Sequence, residues 1–495
     1  MEPNVVEKGS ISVEKGSIFG CSTAYVINSI ITLAIMIGFK YVVPAPEPLT
    51  PLGVEILGIF LGMLYGWLVV NDIIWPSIVG LVLLGLSEYT TVTNAFATGF
   101  GNKTVLLMLF FFLFTNIINS AGIIEYIAKW IVTLKIAYGK PWMLSFLLMI
   151  AAIVSFFMVS ATAACLVMIP LIKSISLLYG FEPGDKWPML MMGGLVYVGS
   201  TSYIFLPYKS LPLIVFASYE TTTGETIAYG PYMFIIIIST IVALALFLLT
   251  CKFIFRPDVS KIINCNIILD RDKMQLSSYQ KFVLGFFAVV LVLLIVPNIV
   301  PSTFFLAELL KKIGNTGILA LAVVFYLACN FKDGSNVNQL FSRNISWTII
   351  FLLTAAMTIS GAFSSEETGI SQWMSSVVTP MVQGKSPFIF IVLVCTLSAI
   401  LTNLANNQAV CAIFTPIILS IGVAFGANLP TLVACMMAAS NVGMVTPPAS
   451  ATGALLHGDK EWVPGKSAYS YGLVYTLFNW FNAIFIIYPL GCLLM

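Results

Sequence analysis

The sequence predicts an all-α, polytopic membrane protein built from two related halves. Three observations lead there: the composition, a series of long apolar runs, and a broken run that returns at a fixed offset. Of the 495 residues, 59% are hydrophobic and 9% are charged. A soluble domain carries about 25% charged residues, so much of this chain must face lipid instead of water.

The same composition excludes several function classes. A net charge of +2 gives no general attraction to nucleic acid. A single histidine, His457, rules out a His-rich metal site, and the nine cysteines form no CxxC, which argues against zinc and redox pairs. HExxH, GxSxG and paired acidic motifs are absent, so no enzyme and no organic cofactor is expected.

Residues 1–20 form a polar tail in which Val6-Glu7-Lys8-Gly9-Ser10-Ile11 returns as Val13-Glu14-Lys15-Gly16-Ser17-Ile18. Its Gly/Ser-rich, polar character predicts disorder. A bilayer core of about 30 Å needs about 20 helical residues per crossing. Apolar runs lie near 24–44, 52–71, 73–87, 141–159, 163–180, 187–206, 230–255, 281–300, 314–330, 345–362, 387–405, 408–425, 429–445 and 470–494. Several are short or cut by polar residues. Broken backbone at membrane depth is tolerated only against protein or a watery cavity, which makes the cut runs informative.

The long charged interior stretch near 256–281 carries Arg256, Lys261, Arg271, Lys273 and Lys281. The positive-inside rule places it in the cytoplasm together with the tail. It divides the chain into a first half, 21–255, a cytoplasmic linker, 256–280, and a second half, 281–495. The halves match. Ser160-Ala161-Thr162 runs on to Pro170, and Asn406-Asn407-Gln408 runs on to Pro416, 246 residues later. Gly122 and Gly369, each between a long apolar helix and an aromatic residue, are 247 apart. A further break at Asn441 to Pro448 pairs with Gly199-Ser200-Thr201-Ser202, extending to Leu206-Pro207.

Small polar residues can also sit between membrane helices simply because they are small. Three adjacent amides are harder to explain that way, because amides in hydrocarbon are costly without partners or water. Paired discontinuous helices are the device by which carriers bind solute at the midplane: half-helix N-termini face anionic groups and loose carbonyls hold cations. Lys173 and Lys209, the basic residues nearest the breaks, are expected to hold their ammonium groups in water.

On these residues the chain resembles the divalent anion/sodium symporter family over about residues 50–490. The resemblance rests on the two triplets, on Thr446-Pro447-Pro448, on Gly99-Phe100-Gly101-Asn102 and on Ser346-Trp347. It implies about 11 transmembrane helices plus two re-entrant hairpins in an inverted-topology repeat. It also implies a hairpin domain that shifts like an elevator against a static, homodimeric domain in lipid. By the same likeness, Ser160, Thr162, Asn406, Asn407, Gln408, Thr446 and Pro447 would meet a small anionic substrate. Sodium would sit with Ser160 and Ser200 in the first half, and with Thr402, Ala405, Asn407 and Val445 in the second. The implied activity is cation-coupled transport of di- or tricarboxylates across a plasma membrane, the bacterial inner membrane, with a cytoplasmic N-terminus.

Three departures stand out. Ala161 replaces the family asparagine, Gln408 replaces a threonine, and Leu206-Pro207-Tyr208 replaces the first-half Thr-Pro-Pro turn. They keep open a sodium-independent anion exchanger. A cation/proton antiporter of the same superfamily is the other alternative. It would need an acidic residue at midmembrane, and Glu55, Asp72, Glu125, Glu366 and Glu367 all fall near expected span ends.

Overall fold

A computed structural model describes residues 22–70, 72–263, 275–299, 305–329, 341, 345–370, 372–373, 376–377, 386–404 and 406–495. The tail at 1–20, residues 264–274 of the expected linker and Ala405 lie outside the described residues. Every described regular element is a helix. Nine helices are long and apolar enough to cross a membrane, and five shorter apolar helices of 10–17 residues accompany them among the described residues.

The first half contains α1 (Thr23–Val42), α2 (Pro51–Tyr65), α3 (Ile74–Leu86), α4 (Val92–Phe100), α5 (Lys103–Ser120), α6 (Ile123–Val132), α7 (Pro141–Met158), α8 (Ala161–Leu178), α9 (Lys186–Tyr203), α10 (Ser210–Thr223) and α11 (Tyr229–Thr250). A short α12 (Ser260–Ile263) follows. The second half contains α13 (Ser278–Ile299), α14 (Phe305–Cys329), α15 (Trp347–Ser364), α16 (Pro387–Leu404), α17 (Asn407–Ala424), α18 (Leu429–Asn441), α19 (Ala451–Gly458), α20 (Gly465–Asn482) and α21 (Tyr488–Leu494).

Two helix–break–helix pairs carry the matched sequence. The break between α7 and α8 is Val159 and Ser160, both extended. Ser160 caps α8 by accepting a bond from the Ala163 N–H at 3.3 Å. Between α16 and α17, Asn406 caps α17 by accepting the Gln408 N–H at 2.9 Å. The likeness continues down both helices. Pro170 and Pro416 lie inside them, and the serine four residues on donates to each proline carbonyl, at 2.9 and 3.0 Å.

The ends match as well. Gly180 (φ 75°) and Gly426 (φ 61°), 246 residues apart, take the left-handed conformation that closes α8 and α17. In each closure the next N–H reaches back five residues: Phe181 to the Ser176 carbonyl at 2.9 Å, Ala427 to the Gly422 carbonyl at 3.0 Å. This is the Schellman closure, which favours glycine because it has no Cβ to clash. Gly122 (φ 65°) and Gly369 (φ 64°) are also left-handed.

Packing repeats in the same way. The limbs α7 and α8 both lie on α9, and α16 and α17 both lie on α18. Those two helices form the core: α9 is buried from Trp187 to Ser202, and α18 from Thr431 to Asn441. The partners then cross over. The helix after α9, α10, packs on α17, while the helix after α18, α19, packs on α8. By contrast, α1 leaves Ile27, Ile30, Ile37, Tyr41 and Val42 exposed, a face suited to hydrocarbon.

One expected break is displaced. Gly199-Ser200-Thr201-Ser202 remains helical, because Thr201 and Ser202 donate back to the carbonyls of Tyr197 (2.9 Å) and Gly199 (2.7 Å). Their hydroxyls satisfy themselves inside α9, and the chain leaves the helix after Tyr203 instead.

A Cβ at Gly180 or Gly426 would meet nothing within 4 Å, so substitution there tests backbone conformation alone. Gly180→Ala and Gly426→Ala are each expected to cost about 1–2 kcal/mol. The readout is the thermal unfolding midpoint in detergent. A fall at one site and not at the other would contradict the matched closures.

Candidate functional site

A cavity of about 820 Å³ lies between the two breaks. Its wall includes Ser160, Ala161 and Thr162 from the first and Asn406, Asn407 and Gln408 from the second. Residues 246 apart in sequence therefore face each other across one space. The first turns of α8 and α17 both stand on it, and a helix N-terminus carries roughly half a positive elementary charge. Free backbone N–H groups at such ends suit anions.

The second tip is held by amides. Asn407 Nδ2 donates to the Asn441 carbonyl at 2.9 Å, and Asn407 Oδ1 accepts from Thr402 Oγ1 at 2.9 Å. Asn441 Nδ2 in turn donates to the Ser200 carbonyl, which joins the two halves behind the cavity. Gln408 reaches across instead. Its Nε2 donates to Ser210 Oγ at 3.0 Å, and Ser210 Oγ lies 2.8 Å from the Tyr203 hydroxyl. The longer side chain of Gln408 thus ties α17 to the turn that follows α9.

Thr402, Val445, Thr446 and Pro447 stand behind the second tip and not on the cavity wall. Asn403 organises them. Its Oδ1 accepts the N–H groups of Met444 (3.1 Å) and Val445 (2.9 Å), and its Nδ2 donates to the Ala399 carbonyl at 2.8 Å. Thr446 Oγ1 donates to the Asn403 carbonyl. Gly443 sits where oxygens converge. A Cβ there would overlap Asn407 Oδ1 and press on the carbonyls of Thr402 and Ala449, each 3.1 Å away. Neutral oxygens of this kind suit a hard monovalent cation. No group of three His, Cys, Asp or Glu side chains that could hold a metal ion occurs among the described residues.

The first tip differs. Ser160 and Ser200 line the cavity; the Ser160 hydroxyl accepts one bond in the α8 cap, and the Ser200 carbonyl accepts one from Asn441. Behind this tip lies Lys209. Its ammonium is not in water: the residue is 1% exposed, and Nζ lies 2.5 Å from the Val159 carbonyl. The π faces of Tyr203 and Phe111 cover it at 5.0 and 5.8 Å. Lys173, in contrast, is partly exposed and paired with Asp459 at 2.5 Å.

Other wall residues come from α5, which was missing from the apolar runs. Thr115, Asn116 and Asn119 share one face of that helix and line the cavity. The signal was present as polar residues at i, i+1 and i+4 in an apolar helix. Glu125, the charged side chain on the wall, pairs with Lys129 one turn on at 2.5 Å.

Comparison with known proteins agrees with this layout. The family model described as citrate transporter matches residues 63–439 and 315–490. The chain belongs to the citrate transporter family. It is 21% identical over 431 residues to the sodium-dependent dicarboxylate transporter SdcS of Staphylococcus saprophyticus, covering 83% of this chain and 81% of that protein. It is 21% identical over 461 residues to SdcS of Staphylococcus aureus, covering 90% and 87%. The resemblance to the divalent anion/sodium symporters is thereby supported.

Among solved structures, the Alcanivorax borkumensis YdaH transporter shares the fold, with a TM-score of 0.59, 15% identity and coverage of 95% and 98%. MtrF of Neisseria gonorrhoeae, from a class of antimetabolite efflux pumps, follows with a TM-score of 0.58, 15% identity and 94% coverage of each chain. The protein is therefore a multi-pass membrane protein, as its apolar helices require.

Asn403→Ala is expected to destabilise the transporter by about 1–3 kcal/mol, because a buried and a part-buried N–H group lose their acceptor. Thermal unfolding in detergent measures this, and an unchanged midpoint would contradict the role given to Asn403.

Proposed function

We propose that this protein is a secondary active transporter of small di- or tricarboxylate anions, coupled to sodium through its second half. The observation that carries the reading is the convergence of the N-terminal turns of α8 and α17 on one cavity. Two such ends offer backbone donors and positive potential to a molecule with two anionic groups. The printed names of the Staphylococcus relatives, sodium-dependent dicarboxylate transporters, point to the same class of solute.

In this reading Ser160, Thr162, Asn406, Asn407 and Gln408 meet the substrate, while Thr446 and Pro447 support the second tip from behind. Sodium is a co-substrate held by the Thr402 and Val445 carbonyls and Asn407 Oδ1, with Ala405 the fourth expected contributor. The two helix pairs act as re-entrant hairpins of an inverted repeat. They move against a static, homodimeric scaffold that includes α1–α3, α13 and α14. The protein sits in a plasma membrane with its N-terminus in the cytoplasm.

The sodium-independent exchanger is a second reading favoured by one observation: Ala161 offers no side-chain donor or acceptor at the first tip. Cation/proton antiport would call on a carboxylate in the cavity. Glu125 is the one present on the wall, and its pairing with Lys129 supports the anion reading instead.

Proteoliposomes loaded with or without a sodium gradient, and offered labelled succinate, citrate or sulfate, test the proposal. Saturable uptake of a carboxylate, faster with inward sodium, is expected. Asn407→Ala is expected to reduce that uptake roughly tenfold or more, since one hydrogen bond to a charged group contributes about 1.5–3 kcal/mol. Failure to move any anion by net flux or by exchange would sink the reading.

A further inference from the structure

Lys209 is an expensive residue. It is enclosed behind the cavity wall and joins none of the ion pairs found among the described residues. A buried charge without a partner is costly, and an ionisable residue inside a membrane domain is by default a functional one. Its surroundings are arranged to hold a cation. Nζ sits on the Val159 carbonyl, at the C-terminal end of α7. That end carries negative potential and favours a positive group. The rings of Tyr203 and Phe111 present their π faces to it.

Its position relates it to the cavity. Val159 precedes Ser160, and Lys209 precedes Ser210; both serines line the wall. Lys209 is therefore one residue from the wall on both sides of its hydrogen bond. At this same tip Ala161 lacks an amide, and the Ser160 hydroxyl and Ser200 carbonyl each already accept one bond within the protein. Behind the second tip, the atoms that surround Gly443 among the described residues are neutral oxygens of Thr402, Asn407 and Ala449.

We propose that Lys209 is the fixed counter-charge of the first half: its ammonium takes the place of a mobile cation and attracts the dianion held between the hairpin tips. This rests on the anion-transport reading. Lys209 is a positioning residue that acts through space and through the Val159–Ser160 backbone, without touching the solute. It cancels the negative end of α7, so that the positive end of α8 is what the anion meets. Its effect grows with the charge of the solute, which separates it from a merely structural role. Only the second half then binds a mobile cation, so at most one sodium accompanies each anion.

The test combines sodium titration of the unaltered transporter with variants assayed in proteoliposomes, using succinate and its monomethyl ester. Wild-type uptake of succinate is expected to show a Hill coefficient for sodium of about one or no sodium dependence; cooperative use of two or more sodium ions would overturn the proposal. Lys209→Met is expected to raise KM for succinate at least about tenfold, with a much smaller change for the monoester. Lys209→Arg is expected to restore the preference for the dianion. Equal changes for both solutes, or none, in a variant with the wild-type melting midpoint would overturn the proposal. If Lys209→Met does not fold, the sodium titration and Lys209→Arg decide, since loss of dianion preference in the arginine variant, with its charge intact, would also count against it. A wild-type protein that moves no carboxylate at all would instead defeat the transport reading itself.

Discussion

A helix interrupted inside a membrane exposes backbone groups that lipid cannot satisfy, and each must find a partner in the protein or in the cavity it lines. This requirement at the two breaks organises the rest of the structure. At the first, the Val159 carbonyl is taken by Lys209 and the Ala163 N–H by Ser160. At the second, Asn406 serves the Gln408 N–H, Thr446 serves the Asn403 carbonyl, and Asn403 serves two N–H groups of the 442–450 segment. Nearly every long-range partner comes from the segment that leaves a core helix, α9 or α18. The breaks can exist only because those segments are also non-helical and lie beside them.

The crossed packing follows from the same need. The segment leaving α9 feeds α10, which lies on α17 and meets Gln408 through Ser210. The segment leaving α18 feeds α19, which lies on α8. Each tip is thus backed by its own half and flanked by the other, and the space between them becomes one cavity. The Asn407–Asn441–Ser200 series of hydrogen bonds fastens the halves at the rear of that space.

Much of this was legible in the sequence because it follows from residue type at fixed spacing. Composition alone demands lipid contact, and the 246-residue offset picks out the paired tips. What escaped depended on side-chain direction. Thr201 and Ser202 read as a break, yet their hydroxyls bond within α9. Asn116 and Asn119 interrupt the long apolar helix before Gly122, which is absent from the runs long enough to cross, and their polar face lines the cavity. Lys209 looked like a residue able to extend to water. The turn after Tyr203 aims it inward, and one sequence cannot reveal that direction.

The difference between the two tips bears on the transport cycle itself. A sodium ion bound with the anion can leave with it, and the emptied site returns neutral. A lysine cannot leave. In the proposed cycle, an empty return carries that charge with the protein, at a cost in hydrocarbon, unless the ammonium gives up its proton. The Val159 carbonyl, the C-terminal end of α7 and two aromatic faces lower that cost without removing it. An empty return is therefore harder with Lys209 than with two mobile cations, and a return loaded with another anion is easier. If Lys209 has the role proposed for it, the residue that draws a dianion into the first tip also biases the carrier toward exchange, while the neutral oxygens behind the second tip suit cation-coupled net transport.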